Sequence, residues 1–132
     1  MADNYFYALG RRKSATARIR LTAKKGSVTI NGKPLSAYIA DSKYLHNRIM
    51  RPFTVLELDP DNYTISVKVS GSGHSSQVDA IILAVSKALT ELNEDYKATL
   101  RKAELLGRDP REKERKKFGL KSARKKRQFT KR

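Results

Sequence analysis

The sequence predicts an α/β chain of the α+β kind: a two-layer sandwich with a mixed four-stranded sheet, continued by an extended basic tail. Three observations predict it. Tyr63, Ile65, Val67 and Val69 alternate with Thr64, Ser66, Lys68 and Ser70, the period of a strand buried on one face. Directly after Gly71-Ser72-Gly73, the residues Val78, Ile81, Ile82, Val85, Leu89 and Leu92 recur at helical spacing, so a long helix follows that strand and covers the sheet. The last 25 residues hold 13 Lys and Arg but only Phe118, Leu120 and Phe129 as large apolar residues, too few to offset the entropy of ordering them. The division expected is a body over residues 1–107 and a tail over 108–132.

Taken in order, Tyr5 to Leu9 reads as a short strand that Gly10 ends, and Arg11-Arg12-Lys13 as a basic turn. Ser14 to Leu21 sets Ala15, Ala17, Ile19 and Leu21 on one side and Thr16, Arg18 and Arg20 on the other, a half-buried strand with a cationic outer face. A short strand around Val28 and Ile30 stops at Asn31-Gly32, a dipeptide suited to positive φ, which completes a three-strand meander. Lys33-Pro34 opens a helical turn with Leu35, Tyr38 and Ile39. A second helix runs from Ser42 until Pro52 stops it. Phe53 to Leu58 is open between strand and irregular segment, and Asp59-Pro60-Asp61-Asn62 is a turn. Ser76 with Asp79 forms a capping pair for the long helix. A last helix with Tyr96, Leu100, Ala103 and Leu106 stops at Gly107. In the tail, Asp109, Pro110 and Glu112 are placed to start a helix that has no apolar stripe, with Gly119 ending it and the remainder extended.

A net charge of +16 points first to nucleic acid and second to anionic membrane. The membrane reading is the weaker one, since no apolar run nears the roughly 20 residues that span a bilayer. Ten of those charges belong to the tail, where each Lys or Arg can displace counterions from a polyanion. Zero cysteines exclude disulfides and thiolate metal sites. The first residues have neither an apolar signal core nor an Arg-rich transit character, so the protein is expected to work where it is made. His46 and His74 lack companions at metal-ligand spacing, and no metal or cofactor is expected. Phe118 and Phe129 are open to two uses, stacking on bases or packing on protein.

Two other classes compete with nucleic-acid binding by the tail. Gly71-Ser72-Gly73-His74-Ser75-Ser76 joins a strand to a helix N-terminus, a place where phosphate can bind, and loosely resembles the phosphate loop of small-metabolite kinases. No Walker Lys-Ser/Thr follows it, and no nucleophile, base and orienting group converge elsewhere. A DNA-binding reading finds no helix-turn-helix, zinc-finger or basic-zipper pattern.

Gly10-Arg11-Arg12-Lys13-Ser14-Ala15-Thr16-Ala17-Arg18, Gly71 to Leu89, Leu105 to Gly119, and Gln128-Phe129-Thr130-Lys131-Arg132, in this order and spacing, resemble the ninth-protein family of the small ribosomal subunit in its bacterial form. The central block is filled by Gly71, Gly73, Ser76, Gln77, Ala80, Ala84, Ser86, Lys87, Ala88 and Leu89. Departures are Ser72 where glycine is usual, Ile82 where Arg is common, Gly107 where Thr is common and Thr130 where Ser is common. The resemblance implies a two-layer domain containing a left-handed βαβ crossover, against the usual hand. It implies a cytoplasmic, non-enzymatic constituent of the ribosome, with neither membrane nor small-molecule substrate as partner. The body would lie on small-subunit ribosomal RNA in the head beside neighbouring head proteins, and the tail would reach the anticodon stem-loop of peptidyl-site tRNA. Carried over residue by residue, Lys131 and Arg132 meet tRNA phosphates, with Gln128, Phe129 and Thr130 holding them. The ribosomal RNA candidates are Arg11, Arg12, Lys13 and Arg18 in the body, and Arg108, Arg111, Arg115, Lys116, Lys117, Lys121, Arg124, Lys125, Lys126 and Arg127 in the tail.

Overall fold

The computed structural model describes residues 4–129, so the expectations for Thr130, Lys131 and Arg132 lie outside the described residues. Strand β1 (Phe6–Arg12) pairs antiparallel with β2 (Ala15–Thr22) across a tight turn in which Lys13 takes φ +53°. The strand does not end at Gly10. A Cβ built on Gly10 would stand 2.0 Å from the Ala80 carbonyl oxygen and 2.7 Å from the Ala84 amide nitrogen, so the glycine lets helix backbone settle directly on strand backbone.

The expected meander is replaced by a different order. β3 (Val28–Ile30) does not pair with β2; it turns through Asn31 and Gly32, both at positive φ, into the two-residue β4 (Lys33–Pro34). The later strand β5 (Thr64–Ser70) inserts between β2 and β3, antiparallel to the first and parallel to the second, giving the order β1-β2-β5-β3-β4. The sheet is therefore mixed and five-stranded, the additional strand being the short Lys33–Pro34 pairing. The Asn31 side chain continues the ladder past the end of β3: its Oδ1 accepts from the Val69 amide at 2.9 Å and its Nδ2 donates to the Val69 carbonyl at 3.0 Å.

Between β3 and β5 the chain forms α1 (Leu35–Tyr38) and α2 (Lys43–Val55). Ser42 caps α2, its Oγ accepting from the Leu45 amide. Pro52 does not stop this helix. The missing N–H forfeits one bond, but Phe53 is buried at 1% exposure and the Leu56 amide donates to the Pro52 carbonyl, which carries the helix another turn. The segment from Phe53 to Leu58 is thus helix as far as Val55 and then a closing turn, in which Leu58 N–H donates to Phe53 C=O and Glu57 N–H to Thr54 C=O around a left-handed Glu57 at φ +57°. Asp59 to Asn62 forms a 3-10 turn, as its composition suggested.

The long helix α3 (His74–Leu92) lies over β1 and β2, with Val78, Ala80, Ile81, Ala84, Val85, Ala88 and Leu89 buried against the sheet. Ser76 and Asp79 do not cap it. The helix starts three residues earlier, behind Gly73, so Ser76 lies buried within the first turn and Asp79 points to two arginines instead. α4 (Tyr96–Lys102) packs on α2 and α3 and ends before Gly107. Its closure repeats that of α2, with Leu105 N–H on Leu100 C=O, Glu104 N–H on Arg101 C=O, and Glu104 at φ +63°. All the larger helices sit on one side of the sheet; the other side faces solvent.

Candidate nucleic-acid interface

Alternation along β1, β2 and β5 decides what the open side of the sheet presents. Ala17, Ile19 and Leu21 with Ile65, Val67 and Val69 turn inward, which obliges Thr16, Arg18, Arg20, Ser66, Lys68 and Ser70 to turn outward. Register then aligns them in rows across the sheet. Arg18 lies between Leu9 and Lys68, Arg20 between Tyr7 and Ser66, and Thr16 between Arg11 and Ser70. The outward positions of these three strands include Arg11, Arg18, Arg20 and Lys68 and no Asp or Glu. Tyr5 and Tyr7 are about half exposed, and the Arg20 guanidinium lies 5.1 Å from the Tyr5 ring centre. Two shallow depressions on this side share Arg18 and Lys68. Cations with interleaved aromatics and hydroxyls suit a phosphate backbone with adjacent bases or sugars.

Sequence reasoning named Arg11, Lys13 and Arg18 here but left Arg20, Lys68, Tyr5 and Tyr7 outside the candidate set. The signal for Lys68 was available: it alternates outward from the clearest strand, but only the pairing of β5 with β2 brings it opposite Arg18.

Arg12 has a different environment. Its side chain is only 15% exposed, with Nε 3.6 Å from Asp79 Oδ2 and one terminal nitrogen 3.5 Å from Asp109 Oδ1. The same nitrogen donates to the Arg111 carbonyl at 2.6 Å and the Asp109 carbonyl at 3.4 Å. Asp79 is also bonded to Arg48 of α2. The guanidinium expected on RNA is thus engaged within the protein, on the base of the tail. Beside it a cleft opens between α2, α3 and residues 104–111, with Ile82, Leu83 and Leu105 on its apolar part and Arg11, Arg51 and Arg111 among its cations.

The expected tail helix is absent from residues 108–117. Asp109 is used in an i to i+2 turn instead: Oδ1 accepts from the Arg111 amide at 2.9 Å, and the carboxylate takes a bidentate hold on the Arg111 guanidinium. These hydrogen bonds, foremost the side-chain ones, hold the Asp109 carboxyl down at about 2, Arg12 adding a smaller pull. Farther out, Arg124 grips Glu114 through two hydrogen bonds of 2.9 and 2.6 Å, lowering the Glu114 carboxyl below its usual range. The tail is not simply extended past Gly119, because Leu120 and Lys126 bridge and the Lys121 amide donates to the Lys125 carbonyl. Arg108, Arg115, Lys116, Lys117, Lys121, Lys125, Lys126 and Arg127 are exposed, as are Gln128, Phe118 and Phe129.

The Gly71 to Ser76 loop is built for packing. Gly71 has φ +82°, and a Cβ there would lie 2.4 Å from the Ser14 carbonyl oxygen. Ser72 takes φ +55°, the left-handed conformation that a glycine would adopt with less strain. Gln77 ties the loop down: its Nε2 donates to the Gly71 carbonyl at 3.1 Å, and its Oε1 accepts from the Tyr38 hydroxyl at 2.5 Å. Lys87, at the signature's basic position, donates to the Leu9 carbonyl at 3.2 Å. Ile82, in place of the common Arg, is half-buried at the cleft.

Comparison with known proteins finds relatives along nearly the whole chain. The family described as Ribosomal protein S9/S16 matches residues 10–132. The chain is similar to the small ribosomal subunit protein uS9 of Chlorobium chlorochromatii (strain CaD3), 45% identical over 124 residues, covering 94% of this chain and 95% of that one. It is 43% identical to the small ribosomal subunit protein uS9 of Lawsonia intracellularis (strain PHE/MN1-00) over 132 residues and the full length of both. With the family matched from Gly10 to the last residue, the chain belongs to the ribosomal protein S9/S16 family, whose members are structural and non-enzymatic parts of the ribosome.

Proposed function

We propose that this protein is a cytoplasmic constituent of the small ribosomal subunit, with a body that lies on ribosomal RNA in the head and a tail that reaches peptidyl-site tRNA. The observation that carries the reading is the acid-free outer side of the sheet, where Arg11, Arg18, Arg20 and Lys68 stand together beside a tail with ten excess positive charges. Lys13 extends that surface at its turn. In the tail, Arg108, Arg111, Arg115, Lys116, Lys117, Lys121, Arg124, Lys125, Lys126 and Arg127 serve as ribosomal RNA contacts. Glu114 holds Arg124 until phosphate replaces it. Gln128, Phe129, Thr130, Lys131 and Arg132 form the tRNA end, and neighbouring head proteins complete the surroundings. The division is between a body over 1–107 and a tail over 108–132, Leu105 being the last buried residue among those described.

A left-handed crossover from β3 to β5 belongs to the same reading, and a chirality argument supports it. Viewed from the helix layer with β5 running upward, an L-residue facing the viewer directs its own N–H and C=O to the right. Val67 faces the helices and its carbonyl accepts from the Asn31 amide at the end of β3. β3 then lies to the right of β5, and a connection passing over the helix side moves leftward, opposite to the common hand.

The test is removal of Gln128 to Arg132. The truncated protein is expected to enter small subunits normally, while those subunits bind peptidyl-site tRNA less tightly, with an upper range of about 3–6 kcal/mol for two charge-assisted phosphate contacts before screening. Equal tRNA affinity with full-length and truncated protein would refute the tail's role.

A further inference from the structure

We infer that Arg12, braced by Asp79, is a positioning residue that sets the direction in which the basic tail leaves the body. The inference rests on the reading of that tail as a nucleic-acid contact, and deepens it. Arg12 lies at the end of β1, yet its hydrogen-bond partners are 97 and 99 residues away at Asp109 and Arg111. Two of its contacts are to tail carbonyl oxygens, a third to the Asp109 carboxylate, and a fourth to Asp79 on α3. Arg48 on α2 shares Asp79 and Arg111 shares Asp109, so β1, α2, α3 and the tail base meet at one cluster of three cations and two carboxylates.

An isolated exposed ion pair would be worth little. This one differs in three respects. The Arg12 side chain is mostly enclosed, its planar fork meets several acceptors at once, and two of those acceptors are main-chain oxygens that fix the course of the backbone. The chain is pinned a few residues earlier as well, by buried Leu105 and the closing turn of α4. Two anchor points define a direction where one would leave a swivel. The Arg12 fork is taken up by these acceptors, so its place in the basic turn is explained by geometry.

The direction has a use. Arg11 lines both the cleft at the tail base and a depression on the outer side of the sheet. Pinning Asp109 to Arg111 beside Arg11 therefore joins the two cationic surfaces into one track along which a single RNA backbone can run.

The chain lacks cysteine, so two can be introduced for spin labels, by Lys97→Cys on α4 and Glu112→Cys just past the pin, with distances measured in the free full-length protein. A single narrow distribution is expected with Arg12 present. In Arg12→Gln, and separately in Arg12→Lys, the label sits on about seven loose residues beyond Leu105, and the distribution should spread toward the roughly 15 Å end-to-end scale of such a coil. Circular dichroism checks that the body stays folded. Should Arg12→Gln unfold it, Arg12→Lys, which keeps the charge but loses the planar fork, decides the matter. A distribution as narrow in the deciding variant as in the labelled parent overturns the inference, whatever RNA does. Binding of a small-subunit RNA fragment by the unsubstituted protein, measured separately, reports on the functional reading alone.

Discussion

Lys68→Gln should make the free protein more stable and its hold on RNA weaker. Arg18 and Lys68 are register partners on neighbouring strands, both exposed, with no carboxylate among the outward residues of β1, β2 and β5 to separate them. Like charges directly opposite across a sheet cost about 0.2–1 kcal/mol, so removing one should raise unfolding free energy by that amount at low salt. The gain should fade toward 1 M salt, where the screening length falls to about 3 Å. On RNA the sign reverses. Each phosphate neutralised contributes about 0.7–0.9 to the slope of log affinity against log salt, so over a fourfold rise in salt each contact is worth about a threefold loss. The variant should bind more weakly at 50 mM and lose about threefold less on going to 200 mM. Urea titrations at low and high salt, paired with filter binding to a small-subunit RNA fragment, read both effects. A variant less stable at low salt would refute the repulsion between the pair, and one whose salt slope matches the parent would show that Lys68 does not face phosphate.

Gly10→Ala places a methyl within 2.0 Å of the Ala80 carbonyl oxygen, and since helix backbone cannot rotate away, unfolding free energy should fall by about 1–3 kcal/mol in urea. Gly107→Ala, with nothing within 4 Å of the added carbon, serves as the neutral control. Glu104→Gly relieves a left-handed residue at φ +63° and should raise the unfolding free energy by up to about 1 kcal/mol after the entropy of glycine is subtracted, and the thermal midpoint with it; a lower midpoint would contradict the strain. The Asp109 carboxyl, held down at about 2, has a folded value below its unfolded one, so its contribution is complete above about pH 4 and lost as pH falls through about 2. NMR titration should find its midpoint near the lower figure, and one near 4 would mean that the Arg111 turn is not formed in solution.

The elements with unbroken periodicity were legible. β5 and α3 were both read from alternation and helical spacing, and their order gave the layered class. The errors share a cause: punctuation residues were read locally when their setting is tertiary. Gly10 looked like a strand end because nothing nearby in sequence announces that Ala80 and Ala84 will press on it. Pro52 looked like a stop because the burial of Phe53 was not visible beforehand. Conversely, the true helix ends fall on Glu57 and Glu104, residues with no preference for positive φ, held there by the six-to-one bonds that follow them. At the site, a run of cations marked the tail and the first turn correctly as basic. It could not distinguish Arg12, which turns back onto the chain, from Arg11, which faces outward, because that choice depends on Asp79 and Asp109 far along the sequence.

The insertion of β5 between β2 and β3 fixes the order in which a growing polypeptide can assemble. The β1–β2 hairpin closes over a short loop, but its inner neighbour does not exist until residue 70 has been made, and its cover only when α3 follows. Until then β2 exposes an unpaired edge and its apolar face, and β3 has nothing to lie against except its own short hairpin. Loop closure across some thirty to forty residues precedes any reward, the circumstance in which folding is slowed and transient self-association becomes a hazard. A strongly basic hairpin edge bearing Arg18 and Arg20 is a poor template for a second copy of itself, since like charges would meet. The cations on that strand thus guard the nascent chain during the interval before its own sheet is complete.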